Sequence, residues 1–337
     1  MDIQERIRNL PKVHLHCHLD GSVRPETLME IALKENIPLP AYELEELKEH
    51  IQVQNKCLSL KEYLKKFVYP ISVMQKKEYL KRIAFELIED CSIENIRYVE
   101  IRFAPYLHIS QGLSEEDVIE AVLQGIKEGE EKFRVHSNII ISFLRHETID
   151  KNLHQLQAAA KYLGKGVVAV DLAGNEDDYP PELFIDLFNK SKVMGFHITI
   201  HAGETGIAEN IEKSIRLLHA ERIGHGVSAI KDSNIMKLLK EKNIPLEVCV
   251  TSNYNTEIIE NINDHPIKQF YDRDIKVTVS TDNNTVSNVT LTYELCLLNK
   301  SFKFTVEDII NIIKNGIEAS FCNDELKKKL LKELSQF

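Results

Sequence analysis

The chain has 337 residues, of which 43% are hydrophobic and 28% charged: enough for one large α/β domain or two ordinary ones, in the balance of a soluble globular protein. A formal net charge of −10 argues against a nucleic-acid backbone binder, whose affinity comes from Lys and Arg. The charged N-terminus lacks an apolar h-region and no apolar stretch approaches the ~18 residues of a membrane span, so neither a secretory signal nor a membrane partner is expected.

Eight short apolar runs predict strands, at residues 13–18, 97–103, 137–143, 167–171, 197–201, 222–225, 245–249 and 276–280. Continuous apolar runs separated by helical patterns indicate parallel strands covered on both faces. Eight of them predict a (β/α)₈ TIM barrel in one domain over residues 1–337. Residues 24–93, between the first and second strands, read as a helical insertion. In it Leu60, Tyr63, Leu64 and Phe67 recur at i, i+3, i+4 and i+7, a face turned to the core or, at the barrel rim, to a ligand. Ser114-Glu115-Glu116-Asp117, Pro180-Pro181-Glu182 and Thr305-Val306-Glu307-Asp308 open later helices, and 324–336 reads as a final one.

The active site of such a barrel lies at the C-terminal ends of its strands. The first strand delivers His16 and His18, which share one face at i and i+2, and then Asp20. The fourth ends at Asp171 before Leu172-Ala173-Gly174, the fifth at His201 before Glu204, the sixth at His225 between two glycines, and the eighth at Thr281-Asp282-Asn283. Singly, His201 reads as a core histidine, Glu204 as a carboxylate favoured at a helix N-terminus, and Asp282 as a turn residue. Their convergence on one face has a chemical reading: three imidazoles and a carboxylate suit zinc, while Glu204 and His225 suit proton transfer and orientation of water in C–N hydrolysis. His14 reads as a supporting or structural residue. His50, His108, His136, His154, His197, His219 and His265 have no metal-ligand spacing, and Arg102, Arg145 and His146 stay without a role. The six cysteines (17, 57, 91, 249, 296 and 322) contain no CxxC pair. That predicts reduced thiols in a cytoplasmic protein and excludes the HxE…PCxxC type of zinc deaminase.

His16-Cys17-His18-Leu19-Asp20-Gly21-Ser22, Asp171-Leu172-Ala173-Gly174, His201-Ala202-Gly203-Glu204, Arg222-Ile223-Gly224-His225-Gly226, Thr251-Ser252-Asn253 and Ser280-Thr281-Asp282 stand in the order seen in the adenosine deaminase family, which the chain resembles from about residue 9 to 321. The resemblance implies hydrolysis of adenosine, and of 2′-deoxyadenosine, to inosine or its deoxy form and ammonia, with one Zn²⁺ per chain, in purine salvage. It implies His16, His18, His201 and Asp282 as metal ligands. Glu204 resembles the proton shuttle to purine N1, and His225 the group that orients the attacking water and stabilises charge at C6. Gly174 resembles the residue whose N–H meets N3, and Asp20 the contact of the ribose 5′-hydroxyl. Leu60, Tyr63, Leu64 and Phe67 fall where the family places the apolar helix over ribose and base. Asn283 stands where animal members have Asp; an Asn can donate its side-chain N–H to N7, and it resembles a bacterial branch with Thr-Asp-Asn. Ser280 replaces the family's usual Asn, with no functional reading. Tyr254-Asn255-Thr256 departs from the usual Leu and small residue and is expected to bear on the ribose side of the pocket.

Rival substrates are adenine and modified or phosphorylated adenosine. Adenine deaminases resembling this family carry Asp-Asp-Pro after the eighth strand, which Asp282-Asn283-Asn284 does not match, and Asp20 would repel a 5′-phosphate. A non-catalytic binding protein of this fold would not be expected to fill all six metal and catalytic positions. A binuclear amidohydrolase would want a bridging Lys or Glu at the end of the fourth strand, where Leu-Ala-Gly follows Asp171.

Overall fold

The structure, a computed structural model, describes every residue except Met1, Asn55 and Leu58. Its strands are β1 (Lys12–His18), β2 (Ile96–Phe103), β3 (His136–Leu144), β4 (Val167–Ala173), β5 (His197–Ala202), β6 (Arg222–His225), β7 (Leu246–Val248) and β8 (Val277–Val279). They pair in parallel and in chain order. A bridge between Cys17 and Asp282 returns the chain to β1. There the His18 N–H donates to the Asp282 carbonyl (2.8 Å) and the Asp282 N–H to the His16 carbonyl (3.1 Å). The expected (β/α)₈ barrel is therefore the fold, and the backbone of a predicted metal ligand helps to close it. Ser280 acquires a role in the same closure, its Oγ accepting the His16 N–H at 3.1 Å.

The barrel interior is not apolar. Arg102 on β2 donates across the barrel to Glu247 on β7 (Nη2 to Oε2, 2.7 Å), so Tyr98, Glu100 and Arg102 point inward while Val99, Ile101 and Phe103 alternate outward under the helices. Arg222 on β6 donates through Nε to Glu247 Oε1 (2.6 Å) and through Nη2 to Glu100. Arg102 also meets the Leu15 carbonyl (2.7 Å) and Asp171 (3.4 Å). Charges buried this deeply persist only when paired and hydrogen-bonded.

Local sequence explains the helix starts. Ser114 and Thr305 cap helices Glu115–Lys132 and Val306–Ala319 by reciprocal hydrogen bonds with Asp117 and Asp308. Pro181–Phe184 makes a 3₁₀ turn ahead of helix Ile185–Met194, and Asp324–Leu334 is the last helix. The stretch after β1 is helical as expected, but it divides. Helix Lys77–Ile93 packs on β2 and on helix Glu115–Lys132, the place of the barrel's own first helix. Helices Pro25–Glu35, Leu44–Ile51, Leu60–Leu64 and Val68–Val73, with the 3₁₀ turn Lys65–Phe67, are the additional part. Among the described residues, no helix is long and apolar enough to cross a membrane.

Candidate active site

Because β1, β5 and β8 are parallel, the residues at and just beyond their C-terminal ends gather at one mouth. One ligand atom from each of His16, His18, His201 and Asp282 lies within 4.8 Å of all the others. His18 Nε2 is 3.3 Å from His201 Nε2, and Asp282 Oδ1 is 3.3 Å from both His16 Nε2 and His18 Nε2. Carboxylates behind two of the rings settle which nitrogen faces inward. His16 Nδ1 lies 2.9 Å from Glu247 Oε2, and His201 Nδ1 lies 3.0 Å from Asp171 Oδ1. Each Nδ1 therefore carries the proton and each Nε2 lone pair points into the cluster. His16 Nε2 is buried without a hydrogen-bond partner. Lone pairs aimed at one another across 3.3 Å repel unless a cation lies among them, and three nitrogens with one carboxylate oxygen are a donor set for zinc.

Asp282 of this cluster and the neighbouring His225 sit at φ +67° and +64°, the left-handed region that side chains other than glycine occupy at a cost of order 1–3 kcal/mol each. Parallel pairing with Ala202 on β5 holds His225, and closure onto β1 holds Asp282. Ser252 Oγ donates to the far oxygen of Asp282 at 2.6 Å, fixing which oxygen faces the cluster.

Glu204 follows His201 by three residues, and its carboxyl is 3.6 Å from His225 Nε2. The loop carrying it is tied down by Glu176, which accepts the N–H groups of Gly203 (2.9 Å) and Thr205 (2.7 Å). Burial holds the Glu204 carboxyl well above the usual carboxylate range, and the negative charges of Asp282 and Glu176 push it the same way. Asp20, also buried, is pushed up to about 6.

These groups open onto a cavity of about 270 Å³. Every residue predicted to meet substrate is on its wall: Asp20, Leu60, Tyr63, Leu64, Phe67, Gly174 and Asn283. The helix carrying the aromatic face begins where Ser59 caps Glu62 N–H and tightens into the 3₁₀ turn without losing that face. Gly174 sits at φ +100°, a conformation open to glycine. Asn283 Nδ2 donates to the Tyr63 hydroxyl at 3.0 Å. Tyr254 is not on the wall; Lys56 Nζ lies 4.3 Å above its ring.

The sequence model of the adenosine deaminase family matches residues 11–337. The chain belongs to the adenosine deaminase family. An adenosine deaminase of Clostridium acetobutylicum is 51% identical over 334 residues, spanning 99% of this chain and all of that one. Among solved structures, the adenine deaminase of Arthrobacter aurescens superimposes with a TM-score of 0.90 at 27% identity, covering 97% of this chain and 98% of that one. The N6-mAMP deaminase of Arabidopsis does so at 0.88 and 28%, covering 99% and 100%.

Several residues of this adenosine deaminase family site are not apparent from the sequence. Arg145 donates to the His201 carbonyl (2.8 Å) and His146 lines the cavity, and the sequence alone leaves both without a role. Asp171, visible there only as part of a motif, orients His201. Glu247 and Glu176 escape a motif reading, although a carboxylate inside an apolar strand, or close after one, demands a partner. His14 is structural, its Nε2 accepting the Thr281 N–H at 3.1 Å.

Proposed function

We propose that this chain is a zinc-dependent hydrolase that converts adenosine, and its 2′-deoxy form, to inosine or 2′-deoxyinosine and ammonia, in purine salvage. The observation that carries this reading is the buried Glu204 carboxyl, whose hold on its proton burial strengthens, facing the same cavity as the three-histidine and aspartate cluster. His16, His18, His201 and Asp282 would hold the metal, which when bound brings a water's pKa toward ~7 and so supplies the nucleophile for purine C6.

The protein's own groups do the rest. Glu204 gives its proton to purine N1 as C6 is attacked, which draws electron density out of the ring; it then takes the proton of the new C6 hydroxyl and passes it to the leaving amine, so that C6=O forms as C6–N breaks and ammonia departs. His225 orients the attacking water and offsets charge developing at C6. Gly174 N–H meets N3. Asn283 keeps one amide N–H on Tyr63 and offers the other to N7. Asp20 takes the ribose 5′-hydroxyl, and Leu60, Tyr63, Leu64 and Phe67 cover ribose and base. Among the described residues no lysine or arginine lines the cavity, which favours a nucleoside over a nucleotide. One domain with a helical cap, in the cytoplasm, completes the proposal; the six unpaired cysteines support that location.

The test uses metal-analysed protein and adenosine. Loss of adenosine absorbance with stoichiometric ammonia, abolished by a chelator and restored by zinc, is the expected result. No turnover by fully zinc-loaded protein would reject adenosine, and adenine and N6-mAMP would be tried next.

A further inference from the structure

Behind His225 runs a chain of hydrogen bonds that reaches a histidine with no place in the cavity. The Ile267 backbone N–H donates to His265 Nδ1 at 3.1 Å. His265 Nε2 is 3.2 Å from Asn253 Oδ1, and Asn253 Nδ2 is 3.0 Å from His225 Nδ1. His265, Asn253 and His225 are all buried. The direction of each bond is set by the first member of the chain. A backbone N–H can only donate, so His265 Nδ1 accepts; the neutral ring then carries its proton on Nε2 and donates to the Asn253 oxygen. That orients the amide so that its NH₂ faces His225, whose Nδ1 must accept. The His225 proton is therefore on Nε2, the nitrogen facing the cavity and 3.6 Å from Glu204. Burial pushes His265 down to about 3, so it keeps the neutral form this sequence of bonds requires.

We propose that His265 is a positioning residue which, through Asn253, locks His225 as the tautomer that presents an N–H to the reacting atoms. The assignment rests on the proposed function, in which His225 faces the reaction, and it has a mechanistic consequence. His225 enters the cycle as a hydrogen-bond donor, with no lone pair on the cavity side to accept a proton from the attacking water. The sequence leaves His265 among the histidines without a role, because its link to His225 spans 40 residues and exists only in the folded chain.

The test is a ¹⁵N–¹H spectrum of histidine-labelled, zinc-loaded protein without substrate, which reads the protonated nitrogen of His225 directly. Wild type is expected to show His225 protonated on Nε2; protonation on Nδ1 would overturn the proposal whether or not the protein deaminates adenosine. His265→Phe keeps a ring but no donor, so Asn253 is free to invert and the His225 proton moves in part to Nδ1. kcat should then fall roughly tenfold to a hundredfold, the range for losing a partner that orients a site histidine, with KM and zinc content unchanged. His265→Gln, whose amide nitrogen can reach the Nε2 position, should restore both the spectrum and most of kcat. A His265→Phe variant with an unaltered His225 spectrum, or one whose loss of kcat tracks loss of zinc, would refute the positioning role.

Discussion

Glu247→Gln tests how the barrel interior supports the metal site. Oε1 of Glu247 accepts from Arg222 Nε (2.6 Å) and Thr199 Oγ1 (2.9 Å). Oε2 accepts from Arg102 Nη2 (2.7 Å) and lies 2.9 Å from His16 Nδ1. A glutamine has one oxygen, so whichever way its amide turns, an NH₂ confronts two donors. Arg222 keeps Glu100 and Arg102 keeps Asp171 at 3.4 Å, but the negative charge that both buried guanidinium groups share is gone. Breaking a buried ion pair in this way costs about 3–5 kcal/mol. With an unfolding entropy of roughly 2.1 cal/mol/K per residue over 337 residues, that lowers Tm by about 4–7 °C. His16 Nδ1 then meets either a neutral amide oxygen in place of a carboxylate or an NH₂ that cannot accept, so the ring is held less firmly and zinc should bind ~10–100-fold more weakly. Thermal unfolding of the metal-free protein measures the first effect, and competition with a chelator of known affinity the second. A variant melting within about 1 °C of wild type and binding zinc as tightly would show that the charge network supports neither the barrel nor the ligand.

Glu204→Gln should keep zinc and lose roughly 10²–10⁴-fold in kcat, since the amide preserves shape but has no proton to give; turnover within tenfold of wild type would remove Glu204 from its role. In Gly21→Ala, the new Cβ would stand 1.8 Å from Asn283 Oδ1, which must leave its place beside Tyr63. With one substrate hydrogen bond lost, KM should rise about tenfold at constant zinc content, and an unchanged KM would mean Asn283 does not hold the base. Burial pushes His108 down to about 3, against ~6.5 when unfolded. The unfolded chain thus takes up a proton that the folded one refuses, so this group's contribution is complete above about pH 6.5 and falls as pH drops toward 3. Between pH 7.5 and pH 5, wild type should lose about 2 kcal/mol more stability in urea unfolding than His108→Leu. Parallel profiles for the two proteins would contradict this.

The barrel was legible because its cause is local. Eight apolar runs at regular spacing leave few ways to bury a parallel sheet, and capping signals such as Ser114 with Asp117 lie within a single turn. His16, His18, His201, Glu204, His225 and Asp282 were legible for a related reason: in this fold the C-terminal end of every strand points to one place, so strand order alone assembles the site. Contacts across the barrel were not legible. Glu247 reaches Arg102 and His16, Glu176 ties the loop before Glu204, and Arg145 holds the His201 carbonyl. Each pairs residues far apart in sequence, and the sequence shows only a charge that needs a partner, never which one. The same holds for Ser280, whose hydroxyl closes the barrel on His16, and for His265 behind His225. Strand period and strand order, both written in the sequence, fix which groups face the mouth. Only the folded chain sets which nitrogen His16 and His201 turn inward and which carboxyl holds its proton more tightly, because hydrogen-bond partners and burial arrive from other strands.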